Sequence, residues 1–362
     1  MNRLVFLVLM AALSAPAQLI PGDLAVLRIG DGSATLTSAS TAGFVDLYTT
    51  AAGQLGPVST TAIPSTGGSA LTWSGSATSE GALGLSADGT LLTFAGYNVA
   101  KGTASIASTT SASVSRGVGT VNLAGTYALG ATTATQFSGN NIRSGASDGA
   151  GNYWGAGANS GTYYLGTASA AATVQSTLAN TRVLEILGGN LYFSTSSGSS
   201  RGIYGFTGMP TSAAAPSYVI NTGSSSSPYA YAFNPAGTVA YIADDSSIAS
   251  GGGIQKWVLS GGSWSLSYTL GTGTGSTAGA RGLAADFSGA APVLYATTAE
   301  SSGVNRLIEI TDTGSGSLAS TLATASANEV FRGVVLVPEP TGLLGVGALL
   351  LLLARKFLRG RK

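Results

Sequence analysis

The chain has 362 residues, of which only 9% are charged, and its formal net charge is +1 at pH 7. It contains 53 glycines but no histidine and no cysteine. Disulfides, cysteine nucleophiles, Cys/His zinc sites, histidine-based catalytic triads and histidine-ligated haem are therefore excluded.

The first 17 residues have the pattern of a secretory signal peptide. Arg3 supplies a positive start, and an apolar run of ten residues (4–13) follows. Ala15 and Ala17 fit the small-x-small rule, which predicts cleavage before Gln18. An N-terminal membrane anchor is the alternative, but ten apolar residues are too few to cross a hydrocarbon core. We therefore expect an exported chain whose fold is held without disulfides.

Residues 18–337 predict an all-β domain. No apolar pattern of helical period persists for three turns, and short runs rich in Val, Ile, Leu, Tyr and Phe alternate with Gly-, Ser-, Asn- or Asp-containing turns. One unit recurs, a strand followed by a tight glycine turn and a second strand with a central aromatic residue. It occurs at 84–96, 145–157, 185–195, 233–244 and 286–298. A period of about 50 residues is typical of four-stranded propeller blades.

Opening strands near residues 83, 143, 184, 231, 283 and 333 predict six blades. A seventh blade would require residues 115–130 to form a blade of their own. The first strands of the body lack an opening strand, whereas residues 331–337 lack the rest of a blade. We therefore predict that 331–337 pairs with 24–29 and closes the ring, which leaves no blade edge unpaired. A pair of β-sandwiches or a β-helix is the alternative fold.

Two adjacent acids are candidates for a calcium site, the one cofactor that the sequence suggests. Asp244 and Asp245 end a predicted strand, and carbonyl groups of the following loop would complete the ligand set, although no EF-hand loop is present. Neighbouring strand residues point to opposite faces, so the pair is poorly placed to share a proton in catalysis. Capping of a turn is the alternative role.

Within residues 18–337, arginine followed by glycine occurs at Arg116, Arg201, Arg281 and Arg332. The last two fall on predicted opening strands, which line a propeller channel, and two guanidinium groups there suit bidentate binding of an anionic sugar or carboxylate. The alternative is architectural, with glycine allowing close approach of strands and arginine pairing with an acid such as Asp286. The body carries 10 cations and 14 anions, so it lacks the basic face that nucleic-acid binding requires.

Residues 338–362 combine three features in a fixed order. Pro338, Glu339 and Pro340 precede an apolar run of 14 residues (341–354), which predicts a short hydrophobic helix. A basic tail follows, made of Arg355, Lys356, Arg359, Arg361 and Lys362. Positive charge after an apolar run stops translocation and stays on the cytoplasmic side. The run is short for a permanent anchor.

This order of features resembles the PEP-CTERM sorting signal of Gram-negative bacteria. The short apolar run would hold the chain transiently at the inner membrane, and the resemblance implies that a membrane protease of the exosortase type recognises the tail and cuts near Pro338, Glu339 and Pro340. It also implies a final location at the cell surface or in an exopolysaccharide or biofilm matrix. The body is similar to exported bacterial proteins with the same tail, in runs such as 191–198, 241–245 and 294–298, a group without an established activity.

Two functions are open at this level. The sequence favours a non-enzymatic binding or structural protein that contacts extracellular polysaccharide, because a polar surface with few charges suits that environment. The alternative is a secreted hydrolase or lyase that acts on polysaccharide through carboxylates, arginine and tyrosine. We expect the first, and therefore no enzymatic activity.

Overall fold

A computed structural model of the protein describes residues 18–166 and 171–339. The predicted signal peptide, with Ala15 and Ala17, lies outside the described residues. So do Pro340, the predicted hydrophobic helix and the basic tail. Within the described residues there are 26 strands and two short 3-10 helices, Ile106–Ser108 and Ile248–Ser250. No helix in this part of the chain is long and apolar enough to cross a membrane.

The strands are numbered in chain order. Strands β1 to β5 are Leu24–Ile29, Ser40–Thr41, Gly43–Tyr48, Ser59–Ala62 and Trp73–Ser74. Strands β6 to β9 are Gly84–Leu85, Leu91–Tyr97, Arg116–Asn122 and Tyr127–Thr133. Strands β10 to β13 are Ile142–Ser147, Tyr153–Gly157, Gly161–Tyr164 and Ala172–Gln175. Strands β14 to β17 are Thr181–Leu187, Asn190–Ser197, Ser200–Gly205 and Ser217–Asn221. Strands β18 to β21 are Pro228–Phe233, Val239–Asp244, Gly253–Ser260 and Ser263–Leu270. Strands β22 to β26 are Ala280–Asp286, Val293–Thr298, Arg306–Thr311, Ser320–Thr324 and Val330–Leu336.

Six four-stranded antiparallel sheets form the blades of a propeller, which confirms the predicted architecture. Blade 1 has the order β26-β1-β3-β4, and blades 2 to 6 take four consecutive strands each, from β6 to β25. The inner strands β26, β6, β10, β14, β18 and β22 contact one another in turn and close the ring. Strands β8 and β9 occupy residues 116–133 and are the two outer strands of blade 2, so the alternative of a seventh blade there is excluded.

The closure of blade 1 follows the predicted pairing. Strand β26 runs antiparallel to β1, with Leu24 opposite Leu336 and Ile29 opposite Val330. Ion pairs among Arg28, Asp46 and Glu329 reinforce the junction of β1 and β26, which we call the seam. Arg28 Nε lies 2.5 Å from Asp46 Oδ2, and Arg28 Nη1 lies 2.8 Å from Glu329 Oε1. The chain ends of the body are therefore joined by both a strand ladder and buried charge.

Aromatic residues on the second strands of blades 2 to 6 form part of the core, as the repeat predicts. Phe94, Trp154, Phe193, Tyr241 and Tyr295 are all buried. Aromatic rings exclude a large apolar area from water, so one ring in each of blades 2 to 6 contributes much of the packing between those blades.

One part of the structure has no counterpart in the predicted repeat. Between blades 1 and 2 the chain is largely irregular, and its short strand β5 pairs with β2, which lies in the connection between β1 and β3. Trp73 anchors this segment, because its indole Nε1 donates to the carbonyl of Ala95 at 2.7 Å and its ring is fully buried. The irregular segment then delivers Glu80 to the channel.

Candidate functional site

The inner strands bring four arginines to one end of the channel. Arg143, Arg182, Arg281 and Arg332 lie at the second or third position of β10, β14, β22 and β26, and these four form what we call the arginine ring. Strand β18 carries Tyr229 at the same level. All inner strands begin at this end of the channel, which we call the entrance. The small cavity there is the entrance chamber.

The entrance chamber is narrow and has ionisable groups in its wall. Its volume is ≈ 20 Å³, and Glu80, Tyr229, Arg281 and Arg332 are its polar lining residues besides Thr78 and Ser79. The remaining walls are small or aliphatic side chains. A space of this size accepts a water molecule or the terminal atoms of a ligand, not a whole sugar ring.

Two members of the arginine ring share one carboxylate and one aromatic ring. Asp245 Oδ2 lies 3.0 Å from Arg281 Nε, and Asp245 Oδ1 lies 3.7 Å from Arg182 Nη1. The guanidinium carbons of Arg182 and Arg281 lie 4.1 and 5.8 Å from the ring centroid of Tyr229. The predicted alternative partner, Asp286, is at the opposite end of β22 and accepts the backbone N–H of Ser288 at 2.8 Å. Arg281 therefore pairs with Asp245 and not with Asp286.

The other two members, Arg143 and Arg332, have donors that no group of the described residues accepts, and the same is true of Arg182 Nε. Arg332 is 4% exposed, and its Nε and Nη1 atoms have no hydrogen-bond partner among the described residues. Burial, aided by neighbouring Arg281, lowers the pKa of Arg332 to about 10, so the side chain remains charged at neutral pH. Arg143 donates to Asn180 Oδ1 at 2.5 Å, but its Nε has no partner. Buried guanidinium donors are rarely left unpaired unless something else satisfies them.

Glu80 is the one carboxylate in the chamber wall. Its Oε1 accepts from the Tyr97 hydroxyl at 2.6 Å and from Asn141 Nδ2 at 2.5 Å, and its Oε2 accepts from the backbone N–H of Ser74 at 2.9 Å. Burial raises the pKa of Glu80, while these hydrogen bonds and Arg332 act in the opposite direction. The carboxylate is thus held rigidly beside Arg332.

Charge at this end of the channel is unbalanced. Four guanidinium groups face two carboxylates, Glu80 and Asp245, and the pKa of Glu80 is raised. An excess of buried positive charge is costly unless an anion compensates it. The arrangement is therefore suited chemically to bind an oxyanion.

Asp244 has a separate role from its neighbour. Its carboxylate is buried and accepts the backbone N–H groups of Ser227 and Ser246 at 2.8 and 2.9 Å, and Gln255 Nε2 at 3.1 Å. The described residues contain no group of three or more acidic ligands that could hold a metal ion. The structure thus brings Asp245, Arg281 and Arg332 to the channel entrance and uses Asp244 to hold a loop.

The other two Arg-Gly pairs lie away from the channel. Arg116, on the third strand of blade 2, is buried and donates to the carbonyls of Thr109 and Val114. Arg201, on the third strand of blade 4, donates to the carbonyl of Ser226 at 2.5 Å. Glycine after arginine is therefore no marker of a channel position. The marker that finds Arg143 and Arg182 is position within the repeat, because each is at the start of an opening strand.

Of the predicted sorting motif, the structure describes only two residues. Pro338 is partly buried and Glu339 is exposed, directly after the closing strand β26.

The fold and the chamber define a six-bladed propeller with a cationic channel entrance. The chain matches no protein-family model and no curated protein. Among solved structures it is similar to the periplasmic gluconolactonase of Pseudomonas aeruginosa, with 17% identity, a TM-score of 0.47, and coverage of 84% of this chain and 83% of that one. A Bacteroides fragilis protein proposed to be a 6-phosphogluconolactonase shows 14% identity, a TM-score of 0.41 and coverage of 83% and 81%. A chain of the nidogen/laminin complex shows 11% identity, a TM-score of 0.49 and coverage of 87% and 100%.

The expectation that the chain has no enzymatic activity is contradicted, since the structures of similar fold include a gluconolactonase and a protein proposed to be a 6-phosphogluconolactonase. That expectation rests on a polar, weakly charged surface. The composition of the surface gives no information on the side chains that line the channel. At identities this low the likeness concerns the fold, and it assigns no reaction to this chain.

Proposed function

We propose that the protein binds the carboxylate group of an acidic sugar at the entrance chamber. The observation that carries the proposal is the set of buried guanidinium donors without acceptors, on Arg332 in the chamber wall and on Arg143 beside it. A carboxylate would accept from such donors in the planar, bidentate geometry that arginine favours. The predicted export of the chain into a polysaccharide environment supports an acidic sugar as the source of that group.

The size of the chamber supports binding of an end group. A volume of ≈ 20 Å³ admits the carboxylate, while the sugar ring would remain at the mouth, near Tyr229 and Arg281. The ring of Tyr229 already carries two guanidinium groups, so it is fixed in place before a ligand arrives.

Titration calorimetry with sodium glucuronate, and with glucose as the uncharged control, tests this proposal. We expect glucuronate to bind and glucose to bind at least about 10-fold more weakly, since loss of a charged hydrogen-bonded pair removes ~1.5–3 kcal/mol. Arg281→Gln should weaken glucuronate binding by a similar factor. Arg201→Gln, which alters an Arg-Gly pair outside the channel, should leave it unchanged. Equal binding of the two sugars would contradict the proposal.

A second candidate function is acid–base catalysis on the bound sugar, and Glu80 is the observation that favours it. Its carboxylate lies in the chamber wall, its pKa is raised by burial, and three donors fix its position. A carboxyl group with these properties is a candidate general acid or base. Incubation with oligosaccharides of glucuronate, followed by proton NMR, tests for turnover. Glu80→Gln should then abolish turnover and retain binding, whereas turnover unchanged by Glu80→Gln would exclude this role.

We also propose that the chain is exported and then cut near Glu339. The exposed position of Glu339, directly after the closing strand, supports access by a protease. Mass spectrometry of protein recovered from the cell surface tests the proposal. A mature form that ends near residue 339 is expected, and one that retains the basic tail would identify an ordinary C-terminal anchor.

A further inference from the structure

The opposite end of the channel contains a second and larger cavity, which we call the exit chamber. Its volume is ≈ 240 Å³, against ≈ 20 Å³ for the entrance chamber, so it has room for a small organic molecule. Leu83, Leu283 and Val334 line both cavities and form the constriction between them.

The side chains that line the exit chamber are almost all apolar. Glu185 and Tyr231 are its only lining residues with polar side chains, and the rest are aliphatic residues, glycine, Phe233 and Phe287. None of the arginines of the entrance lines this cavity. A lone carboxyl group among apolar and aromatic side chains is an unusual arrangement for a propeller wall, because such groups are normally paired or solvated.

Glu185 has no counter-ion within the protein. It makes no hydrogen bond and no ion pair among the described residues, and burial alone raises the pKa of its carboxyl group to about 8. Tyr231 interacts electrostatically with Glu185, Tyr192 is opposite Glu185 on the neighbouring strand, and neither tyrosine is cationic. Tyr231 is 1% exposed, and its hydroxyl group has no side-chain hydrogen-bond partner among the described residues.

We propose that the exit chamber binds a small organic cation, an ammonium group on an apolar body. The ammonium group would pair with Glu185, and the apolar body would contact Phe233 and Phe287. The site should bind a cation more tightly than a neutral ligand, because the carboxylate of Glu185 has no counter-ion within the protein. Nearby aromatic rings add a favourable cation–π contribution. This site is separate from the entrance chamber and does not depend on the function proposed for it.

Binding of a cation would be linked to proton release. Near pH 7 the carboxyl group of Glu185 is mostly protonated, because its pKa is about 8. An ammonium ligand pairs with the ionised form, so binding must displace the proton, and affinity should rise between pH 6.5 and about 8.

Titration calorimetry with phenethylamine, using 2-phenylethanol as the uncharged match, tests the proposal on the full-length protein. We expect phenethylamine to bind at least 10-fold more tightly than the alcohol at pH 8. At pH 7, two buffers of different ionisation enthalpy should report release of close to one proton. Glu185→Gln should remove the preference for the amine and the proton release.

Glu309→Gln is the matched control, because Glu309 is also a partly buried acid with a raised pKa but does not line the chamber. It should bind phenethylamine like the unaltered protein. Near-ultraviolet circular dichroism would show whether each variant is folded, and Ala285→Leu, which narrows the chamber without altering charge, should also weaken binding. Absence of phenethylamine binding, equal binding of the alcohol, or unchanged binding by a folded Glu185→Gln variant would each overturn the proposal.

Discussion

Asp312 illustrates how single charged residues hold neighbouring blades together without disulfides. Its side chain is fully buried and accepts from Lys256 Nζ at 2.9 Å and from the hydroxyl group of Tyr268 at 2.6 Å. The hydroxyl group of Tyr241 donates to the same carboxylate. All three donors belong to blade 5, whereas Asp312 follows the third strand of blade 6. One carboxylate thus joins two blades through charged and neutral hydrogen bonds.

Asp312→Asn should lower the free energy of unfolding by about 3 kcal/mol, since it leaves Lys256 without its counter-ion in a largely buried site. Urea denaturation at pH 7 measures this loss. The matched control is Asp31→Asn, which breaks an Asp–Lys pair whose side chains are 36% and 53% exposed. That variant should lose no more than about 1 kcal/mol. Equal losses in the two variants would contradict the role assigned to Asp312.

The contribution of Asp312 should also depend on pH. Burial opposes ionisation, but the hydrogen bonds from Lys256, Tyr241 and Tyr268 outweigh it and hold the pKa of Asp312 below its ordinary value of 3.8. A group whose pKa is lower in the folded state stabilises the fold above its unfolded pKa, and this stabilisation disappears as pH falls through the folded value. The stability difference between the protein and Asp312→Asn should therefore be constant from pH 7 to 5 and shrink below about pH 4. A difference that persists unchanged at pH 2 would show that ionisation of Asp312 is not its source.

At the scale of strands, the packing of the inner strands depends on glycines at points of contact. A Cβ atom at Gly333 of β26 would lie 2.2 Å from the backbone nitrogen of Leu83, just before β6. At Gly282 of β22 it would lie 2.7 Å from the carbonyl oxygen of Arg332. Each glycine follows an arginine of the channel. The Arg-Gly pairs of β22 and β26 therefore combine the two predicted roles, because the arginine lies in the channel and the glycine allows close approach of the strands.

Gly333→Ala should therefore push β26 away from blade 2 and lower the free energy of unfolding by about 2 kcal/mol. Thermal unfolding followed by circular dichroism measures the effect. Gly316→Ala provides the control, because nothing lies within 4 Å of a Cβ atom there, and its effect should stay within about 0.5 kcal/mol. If Gly333→Ala left the free energy of unfolding unchanged, β26 could move away from blade 2 at no energetic cost.

The strands can be predicted from the sequence, whereas many of the charged residues of the channel cannot. Particular residues show why. Phe94 and Tyr241 mark second strands because each follows a turn with glycine in the left-handed region, Gly89 and Gly237. Arg143 and Arg182 are followed by serine and valine, so a search for Arg-Gly pairs passes over them. Glu185 is the one charged residue in the apolar run 183–187, and a lone charged residue of this kind normally indicates a solvent-facing position. Glu80 lies in an irregular segment without any period, and only the tertiary fold brings it to the channel.

For the whole molecule, the closed ring predicts that β26 is indispensable. A chain that ends at residue 329 would leave β1 as an inner edge and would expose apolar residues of blade 1 such as Val26 and Leu24, which are fully buried. Because each buried Val or Leu side chain stabilises the fold by about 1.5–3 kcal/mol, its melting temperature should fall by at least about 10 °C. A chain that ends at residue 339 is the control, and differential scanning calorimetry compares the two. Equal melting temperatures would show that the ring does not need its seam.

The seam also determines the order in which the blades can be completed during folding. Arg28 and Glu329, which meet across it, are separated by 301 positions in the chain, so the first strand to leave the ribosome or a secretion pore must wait for the last before its sheet is complete. Strands of blades 2 to 6 have partners close in sequence and can pair as they emerge. Until β26 arrives, β1 presents an unpaired inner edge on which another chain's closing strand could settle. Protection by a chaperone would therefore matter most for the amino-terminal strands rather than for any later blade.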